Sequence, residues 1–354
     1  MTNNRRRSAW MRRNQEVIPP SDFEQLPTVV SGSSKWWGGC LGANGCVYGA
    51  PRNSSNILKI DPSDDSITLI PCASGGDKWI GCVAAPNGKI YFIPSSRTAC
   101  MVLDTADDSI YEFAMASGHA GGVLHSNGKI YTCPRMTTTV YEIDPSTDTV
   151  SSVLSASGGG SNKWRGGFLG GNNKIYFAPS TGDNRWGELD PLTPSIDYIT
   201  SGATGNEISQ PAILAQNGFG YSIPGAFRQV IKLDPAAGTS ALLPTVLASG
   251  ANKWMGGSLV PNGKILGSPF SRSLMLEIDP SDDSISEITL PFTISAHAGL
   301  VLAGNGSLYS IPYNDSKVFK VSNVGTVTPS MVSMPTDVST LASSDYNKYQ
   351  NKSF

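Results

Sequence analysis

Short apolar stretches alternate with polar turns along most of this chain, and the pattern recurs at a regular spacing. Each unit contains a phrase close to Asn-Gly-Lys-Ile-Tyr-x-x-Pro, followed about ten residues after its proline by a phrase close to Ile-Asp-Pro-Ser-Asp-Asp-Ser-Ile. The first phrase begins at Asn44, Asn87, Asn127, Asn172, Asn217, Asn262 and Asn305. The second is centred on Asp61, Asp104, Asp144, Asp190, Asp234 and Asp279, with Ser322 in the seventh copy. The chain therefore contains seven repeats, spaced by 40 to 45 residues.

Each repeat predicts four short strands, which we name A to D. In the first repeat they are assigned to residues 37–41, 47–50, 57–60 and 66–70. The Asn-Gly pair accepts the positive φ of a tight A–B turn, and the proline after strand B removes a ladder donor. No segment between the termini has a helical apolar period. The sequence thus predicts an all-β, seven-bladed β-propeller with repeats of about 43 residues and an extended basic N-terminal arm.

Closure of the ring has two solutions in the sequence. Residues 23–27 precede Trp36 by about the interval that separates residues 66–71 from Trp79, so they read as a strand D without its own blade. This strand can complete the seventh blade, whose other strands come from residues 297–322. Alternatively, residues 326–331 supply it. The ring is expected to close because an unpaired edge strand is a liability. We expect the N-terminal solution, in which residues 23–27 supply the missing strand.

Composition sets the class of protein. With 38 Gly and 24 Pro in 354 residues, 15% charged residues and a net charge of −2, the chain suits one closed ring of repeats. We divide it into an N-terminal arm (1–20), a propeller (21–335) and a C-terminal tail (336–354). We expect no membrane span and no secretory signal, because no long apolar run is present. The cysteines share no repeat position and are expected to be free thiols: Cys40, Cys46, Cys72, Cys82, Cys100 and Cys133.

Candidate binding residues collect on one face. In a propeller the D–A and B–C connections emerge on one side, here called the upper face, and the A–B and C–D turns on the other, the lower face. The position eight residues before each repeat asparagine is Trp36, Trp79, His119, Trp164, Ser209, Trp254 and His297. Lysines precede the four tryptophans: Lys35, Lys78, Lys163 and Lys253. The B–C loops contain Arg52, Arg97, Arg135, Arg185, Arg228 and Arg272. The lower face receives Asp64, Asp65, Asp107, Asp108, Asp148, Asp282 and Asp283.

The Trp/His positions allow two interpretations. A repeated aromatic at one blade position can be a wedge packed between neighbouring sheets. It can instead be a platform on which a sugar ring or planar ligand stacks, with arginine and lysine beside it as donors to an anionic group. The acidic turns lack the ligand spacing of a calcium loop, so we interpret them as turn caps. We expect no metal and no cofactor.

Catalytic motifs are sparse. His119 and His297 occupy equivalent positions in distant repeats, and His125 has no nucleophile motif beside it. No glycine-rich phosphate loop stands between a strand and a helix. The sequence therefore predicts a protein that is not an enzyme.

The two repeat phrases resemble those of β-propeller proteins of tailed bacteriophages, over about residues 30–330. This resemblance implies a virion part in the tail, fibre or surface decoration, made in the host cytoplasm. The implied partners are other virion proteins and a host-surface glycan, and no nucleic acid. The N-terminal arm would dock the protein on an acidic partner through Arg5, Arg6, Arg7, Trp10, Arg12 and Arg13.

Two other groups share features with the chain. The virginiamycin B lyase-like propellers are seven-bladed and have repeats of similar length, but their Asp-Gly-x-x-Trp-Phe phrase is Asn-Gly-Lys-Ile-Tyr-Phe here, and no catalytic His and Glu set can be matched. A cellular carbohydrate-binding propeller is the third alternative.

Overall fold

A computed structural model describes residues 22–157, 161–203 and 209–324. Within these ranges the chain forms 28 strands, β1 to β28, grouped into seven antiparallel sheets of four strands. None of the described segments is a helix that could cross a membrane. The predicted all-β, seven-bladed β-propeller is confirmed.

The strands follow the predicted order in every blade. The innermost strands A are β2 (Trp36–Leu41), β6 (Trp79–Ala84), β10 (His119–Leu124), β14 (Trp164–Leu169), β18 (Ser209–Leu214), β22 (Trp254–Leu259) and β26 (His297–Leu302). Strands B are β3 (Val47–Pro51), β7 (Lys89–Pro94), β11 (Ile130–Pro134), β15 (Ile175–Pro179), β19 (Gly220–Pro224), β23 (Ile265–Pro269) and β27 (Leu308–Pro312). Strands C are β4 (Asn56–Asp61), β8 (Ala99–Asp104), β12 (Thr139–Asp144), β16 (Arg185–Asp190), β20 (Ile231–Asp234), β24 (Leu274–Asp279) and β28 (Lys317–Val321). Strands D are β5 (Ser66–Pro71), β9 (Ile110–Ala114), β13 (Thr149–Ser155), β17 (Ser195–Thr200), β21 (Thr239–Leu242), β25 (Ser284–Thr289) and β1 (Phe23–Thr28).

The N-terminal strand closes the ring. β1 pairs antiparallel with β28, with Phe23 opposite Val321 and Thr28 opposite Lys317. The seventh blade is therefore completed from the other end of the chain, as the sequence predicted. The alternative strand at 326–331 lies outside the described residues, as do the arm at 1–20 and the tail at 336–354.

A backbone irregularity near the start of strand A shapes the centre of the ring. In the first blade Trp36 pairs with Pro51, and the register then shifts before Gly39 pairs with Gly49. Gly38, inside this irregularity, has a φ of 74°, which a residue with a side chain rarely adopts. The residue between Trp36 and Gly38 is Trp37. It lines a cavity at the centre of the ring together with its equivalents Ile80, Ala120, Arg165 and Gln210.

The two repeat phrases hold neighbouring blades together on the lower face. Asn44 donates from Nδ2 to the carbonyl of Thr105 in the second blade at 2.8 Å, and Tyr48 donates to the carboxylate of Asp108 at 3.2 Å. At the closing seam, Asn305 of the seventh blade donates to the carbonyl of Pro62 in the first at 2.8 Å. The first phrase of one blade thus binds the second phrase of the next, which explains why the two recur together.

Lysines complete this contact and neutralise part of the predicted acidic face. Four of the seven lower-face aspartates form an ion pair with a lysine of the preceding blade: Asp65 with Lys320, Asp108 with Lys59, Asp148 with Lys89 and Asp283 with Lys232. Asp64, Asp107 and Asp282 are exposed and instead accept the backbone N–H of a serine two residues on. The expectation of a strongly acidic lower face is corrected accordingly.

The first aspartate of each C–D turn caps that turn. Asp61 accepts both the backbone N–H and the hydroxyl of Ser63, at 2.9 and 2.7 Å. Asp144 and Asp279 repeat these contacts with Ser146 and Ser281. Within the described part of the chain, no group of acidic, histidine or cysteine side chains has an arrangement that could hold a metal ion. The local contacts are those of turn caps.

The six cysteines are free thiols. Cys40 and Cys82, on the A strands of the first two blades, are buried with their Sγ atoms 3.0 Å apart. Burial raises the pKa of the Cys82 thiol well above its ordinary value, with a smaller contribution from Cys40. These side chains pack as small apolar groups between the blades.

Candidate ligand site at the mouth of the axial channel

The four tryptophans of the predicted platform are buried wedges. Trp36, Trp79, Trp164 and Trp254 each have an exposed fraction of 0%. Each indole donates to a carbonyl at the start of its own strand C or just before it, as in the 2.7 Å bond from Trp36 to Asn56 and the 3.0 Å bond from Trp79 to Ala99. Trp79 shares an apolar cluster with Ala50 of the preceding blade. The platform interpretation is corrected for these four residues, because no ring face is open to a ligand.

The lysines that precede the tryptophans are also buried and act as clamps. Lys35, Lys78, Lys163 and Lys253 are between 0% and 4% exposed. Lys35 donates to the carbonyl of Asp315 in the seventh blade at 2.6 Å, and Lys78 donates to that of Ser54 in the first blade at 2.6 Å. Burial lowers the pKa of the Lys35 and Lys78 amines, although the carboxylate of Asp315 acts in the other direction on Lys35. These cations bind the loop of the preceding blade and are not presented to an external anion.

The two histidines equivalent to the tryptophans are buried as well. His119 is 0% exposed, and burial lowers its pKa to about 4. His297 is 1% exposed, and burial lowers its pKa although Asp315, with an oxygen 3.3 Å from Nε2, opposes this. Burial acts to raise the pKa of Asp315, but His297 and the N–H groups of Ser295 and Lys317 outweigh it, so that pKa is lowered. Neither histidine reaches a ligand on the upper face.

The arginines of the B–C loops divide into an outer and an inner set. Arg97 and Arg272 form ion pairs at 2.8 Å with Glu112 and Glu287 on strands D, away from the axis. Two further outer arginines are satisfied locally, Arg185 by Asp183 and Arg228 by the carbonyl of Leu247. The structure therefore does not bring these four to a common site.

The inner set consists of Arg52 and Arg135, each directly after the last proline of its strand B. Arg52 donates from Nε to the carboxylate of Asp77 in the second blade at 2.6 Å. Arg135 donates from Nε to the amide oxygen of Asn162 in the fourth blade at 2.7 Å. In both cases the acceptor lies two residues before the buried tryptophan of the next blade, where the backbone φ is positive. This contact holds each guanidinium beside the channel.

A third arginine, Arg165, completes the cluster and was missed by the repeat analysis. It follows Trp164 in strand A, and its Nη1 lies 3.3 Å from the side-chain oxygen of Gln210. Its Nε is buried and makes no hydrogen bond. Burial, followed by the neighbouring charges of Arg135 and Arg52, lowers the pKa of Arg165 to about 10. The guanidinium remains charged at neutral pH, and no carboxylate within the described ranges forms an ion pair with it.

Aromatic rings border the arginines on the side of blades one, six and seven. The Trp37 ring is half-buried and lies 5.4 Å from Tyr313 and 6.4 Å from Phe270. The guanidinium of Arg52 stacks over Trp37 at 4.8 Å and also donates to the Tyr313 hydroxyl. Arg165 lies 5.8 Å from the centre of the Trp37 ring. The mouth of the channel is thus basic and aromatic. It contains Arg52 and Arg135 of the set that the sequence indicated, together with Arg165 and aromatic rings that the sequence did not indicate.

We call this site the axial mouth and define it by Arg52, Arg135, Arg165, Trp37 and Gln210. It surrounds a cavity of about 10 Å³, which accommodates a group the size of one water molecule. The cavity is lined by Trp37, Ile80, Ala120, Arg135, Arg165, Gly166, Gln210 and Pro211. Its chemistry is that of a small anion site: planar guanidinium groups with N–H donors match the oxygens of a carboxylate or phosphate.

One feature of the sequence could have revealed this site. The second residue of strand A is the least repetitive part of an otherwise repeated strand. In chain order it is Trp37, Ile80, Ala120, Arg165, Gln210, Met255 and Ala298. A structural repeat has no need of this diversity, so the variable position marks the residues that face the axis.

Comparison with known proteins gives the fold. The sequence matches no family profile and no curated protein sequence. Among solved structures, a streptogramin B lyase has a TM-score of 0.72 at 14% identity, over 85% of this chain and 97% of that one. An inactive variant of virginiamycin B lyase from Staphylococcus aureus with quinupristin has a TM-score of 0.71 at 13% identity, over 85% and 98% of the two chains. Hydrazine synthase from Kuenenia stuttgartiensis has a TM-score of 0.65 at 10% identity, over 84% and 99%. Identities this low establish a shared β-propeller architecture.

Proposed function

We propose that this protein is a binding propeller without catalytic activity, which holds an anionic group of its ligand in the axial mouth. One observation carries the proposal. Arg52, Arg135 and Arg165 converge there, and among the described residues Asp77 is the one carboxylate in ion-pair contact with any of them. Three guanidinium groups against one carboxylate leave an excess of two positive charges in a partly desolvated site. An anion would offset this repulsion and bind the unpartnered Nε of Arg165.

The side chains at the axial mouth and the burial of the histidines favour binding over catalysis. A lyase of the kind found among the similar structures would need an acid or base in reach of its substrate. Of the three histidines in the sequence, His119, His125 and His297, none is more than 1% exposed. The groups that border the mouth are guanidinium, amide and aromatic side chains, which orient and stabilise an anion, and the one carboxylate among them, that of Asp77, is paired with Arg52.

The experiment is a titration of the purified protein with sodium acetate and with inorganic phosphate at low ionic strength, followed by calorimetry. We expect Arg165→Gln to weaken binding of both anions at least tenfold. Arg97→Gln is the matched control, because it removes an arginine of the same face that pairs with Glu112 at the rim. Arg165→Lys, which keeps the charge, serves if Arg165→Gln lowers the melting temperature. Equal binding by wild type and by the Arg165 variants would refute the proposal.

The setting proposed for this propeller is a phage virion, in which the N-terminal arm docks on another virion protein. The repeat phrases that resemble phage propellers support it, as do the five arginines at positions 5, 6, 7, 12 and 13. The upper face would then be directed outward, towards a partner or the host surface. The arm lies outside the described residues, so its test is the incorporation experiment given in the Discussion.

A further inference from the structure

A second depression on the upper face adjoins the axial mouth. It is a groove of about 280 Å³ between blades six and seven. Its lining comprises Phe270, Ser271, Arg272, Ser273, Ile294, Ser295, Ala296 and Asn314. Phe270 connects it to the mouth, since its ring lies 5.0 Å from Tyr313 and 6.4 Å from Trp37. A ligand anchored at the mouth can therefore continue outward over this aromatic trio.

The groove is lined by both apolar and polar groups. Phe270, Ile294 and Ala296 supply apolar surface, and serine hydroxyls, the Arg272 guanidinium and the Asn314 amide supply polar groups. The Asn314 oxygen accepts the backbone N–H of Ser34 at 2.9 Å, which orients its NH₂ group as a donor for a ligand. Sugar rings also have an apolar face of C–H groups and an edge of hydroxyls, so the two surfaces correspond.

The size of the mouth determines which part of the ligand enters it. A cavity of about 10 Å³, the size of one water molecule, admits one oxygen of a carboxylate but no sugar ring and no side chain of ordinary size. Guanidinium forks match the oxygens of a carboxylate and of a phosphate, but the carboxylate is the smaller of the two groups. The anionic group must therefore be terminal and small, with the remainder of the ligand lying outside on the face.

We propose that the ligand is a saccharide chain that ends in a carboxylate-bearing sugar. Its carboxylate reaches into the axial mouth, the terminal ring lies against the half-buried Trp37, and the following sugars cross Phe270 into the groove between blades six and seven. This inference rests on the proposed function. A peptide that binds as an added strand is the less suitable occupant, because that mode needs an open strand edge, whereas the groove is lined by B–C and D–A loops.

The test compares four probes by calorimetry at low ionic strength. They are glucuronic acid, a trisaccharide with a terminal glucuronic acid, the methyl ester of that trisaccharide, and an acidic tetrapeptide. We expect the trisaccharide to bind at least tenfold more tightly than the monosaccharide, because only the trisaccharide reaches the groove. The ester, which has the same shape without the charge, should bind at least tenfold more weakly than the acid.

A pair of variants tests whether the tighter binding of the trisaccharide arises in the groove. Ser273 is exposed in the groove, four residues after the last proline of strand B in blade six, and Thr98 is exposed at the same place in blade two. Ser273→Tyr should fill the groove and remove the tenfold gain of the trisaccharide while leaving monosaccharide binding unchanged. Thr98→Tyr should change neither, and the melting temperatures should match.

The outcomes separate the two proposals. A trisaccharide that binds no better than glucuronic acid, an unaffected Ser273→Tyr variant, or a tetrapeptide that binds more tightly than the trisaccharide would overturn the saccharide inference alone. If acetate, phosphate and glucuronic acid all fail to bind, the proposed function fails with it.

Discussion

Arg52 of the first blade and Asp77 of the second are joined by a 2.6 Å bond between Nε and a carboxylate oxygen at the axial mouth. Arg135 makes the equivalent contact with Asn162, an uncharged acceptor, at 2.7 Å. The same geometry thus holds one arginine with a counter-charge and the other without one. The comparison indicates that the contact serves to position the guanidinium group, since the Arg135–Asn162 contact has the same geometry without neutralising the arginine charge.

Asp77→Asn should therefore increase anion affinity. Asparagine can keep the bond to Arg52, as Asn162 does for Arg135, while the variant removes the one carboxylate that competes with a bound anion. An exposed ion pair contributes about 0.2–1 kcal/mol, so acetate binding should strengthen by up to about fivefold, and less at high salt. Calorimetry at two salt concentrations measures this. Weaker binding by the variant would show that Asp77 contributes to the ligand site itself.

Trp79 and Trp37 should differ in what their loss affects. Trp79 is fully buried, so Trp79→Ala should lower the free energy of unfolding by about 3–5 kcal/mol without changing anion binding per folded molecule. Trp37 is half-buried beside Arg52, so Trp37→Ala should lower stability less and weaken saccharide binding more. Denaturant melts and calorimetry on both variants provide the comparison. A stable Trp79→Ala protein that no longer binds would restore the platform interpretation.

Ring closure by β1 should be visible in truncations. Removal of residues 1–20 leaves β1 intact, whereas removal of residues 1–30 exposes an edge of β28 that now pairs with β1. We expect the longer truncation to melt at a lower temperature and to aggregate, because an unpaired edge recruits other strands. Identical melting and solubility of the two proteins would be incompatible with closure through β1.

Acid should weaken the fold through His119. Its pKa is about 4 when folded, below the ordinary value of 6.5, so the unfolded chain binds the proton more readily. The histidine therefore costs no stability above about pH 6.5, and stability falls as the pH drops towards 4. His119→Phe, which keeps a ring beside Tyr141, should flatten this part of the pH profile of the melting temperature. An unchanged slope between pH 7 and pH 5 would exclude His119 as the cause.

The proposal that the N-terminal arm attaches the protein to a virion predicts that an arm deletion abolishes incorporation. If the arm docks on a virion partner, deletion of residues 1–13 should abolish incorporation into particles while the propeller stays soluble. Binding of the complete protein should weaken with added salt, because exposed charges are screened over about 8 Å at physiological ionic strength. Unchanged incorporation of the truncated chain would contradict the proposal.

Sequence reasoning succeeded where a feature is repeated and local. The Asn-Gly and Asp-Pro phrases indicate turns through their backbone preferences, so the strand order and the closing strand could be predicted. The interpretation of Lys35 and Lys78 as ligand-binding residues failed, because the repeat places them on the upper face without showing that loops of the preceding blade cover them. Arg165 was missed for the opposite reason: it occurs in one blade only.

Radial position was the other property that the sequence did not reveal. Arg52 and Arg97 lie in equivalent loops, yet one stands directly after the last proline of strand B and borders the channel, while the other stands three residues after it and reaches strand D. This difference depends on how each loop folds over the next blade. The number of arginines in each loop therefore does not predict which of them border the channel.

The most direct test of the central claim is a crystal of the complete protein soaked in sodium bromide, with an anomalous difference map calculated at the axial mouth. Bromide is a monatomic anion without a carbon skeleton, so its binding reports the anion site alone and not contacts made by the rest of a ligand. The structure predicts an anomalous peak within hydrogen-bonding reach of Arg165 Nε, absent in crystals of Arg165→Gln. A map with bromide at other surface sites and none beside Arg165 would contradict the claim that this propeller binds an anion at its axis.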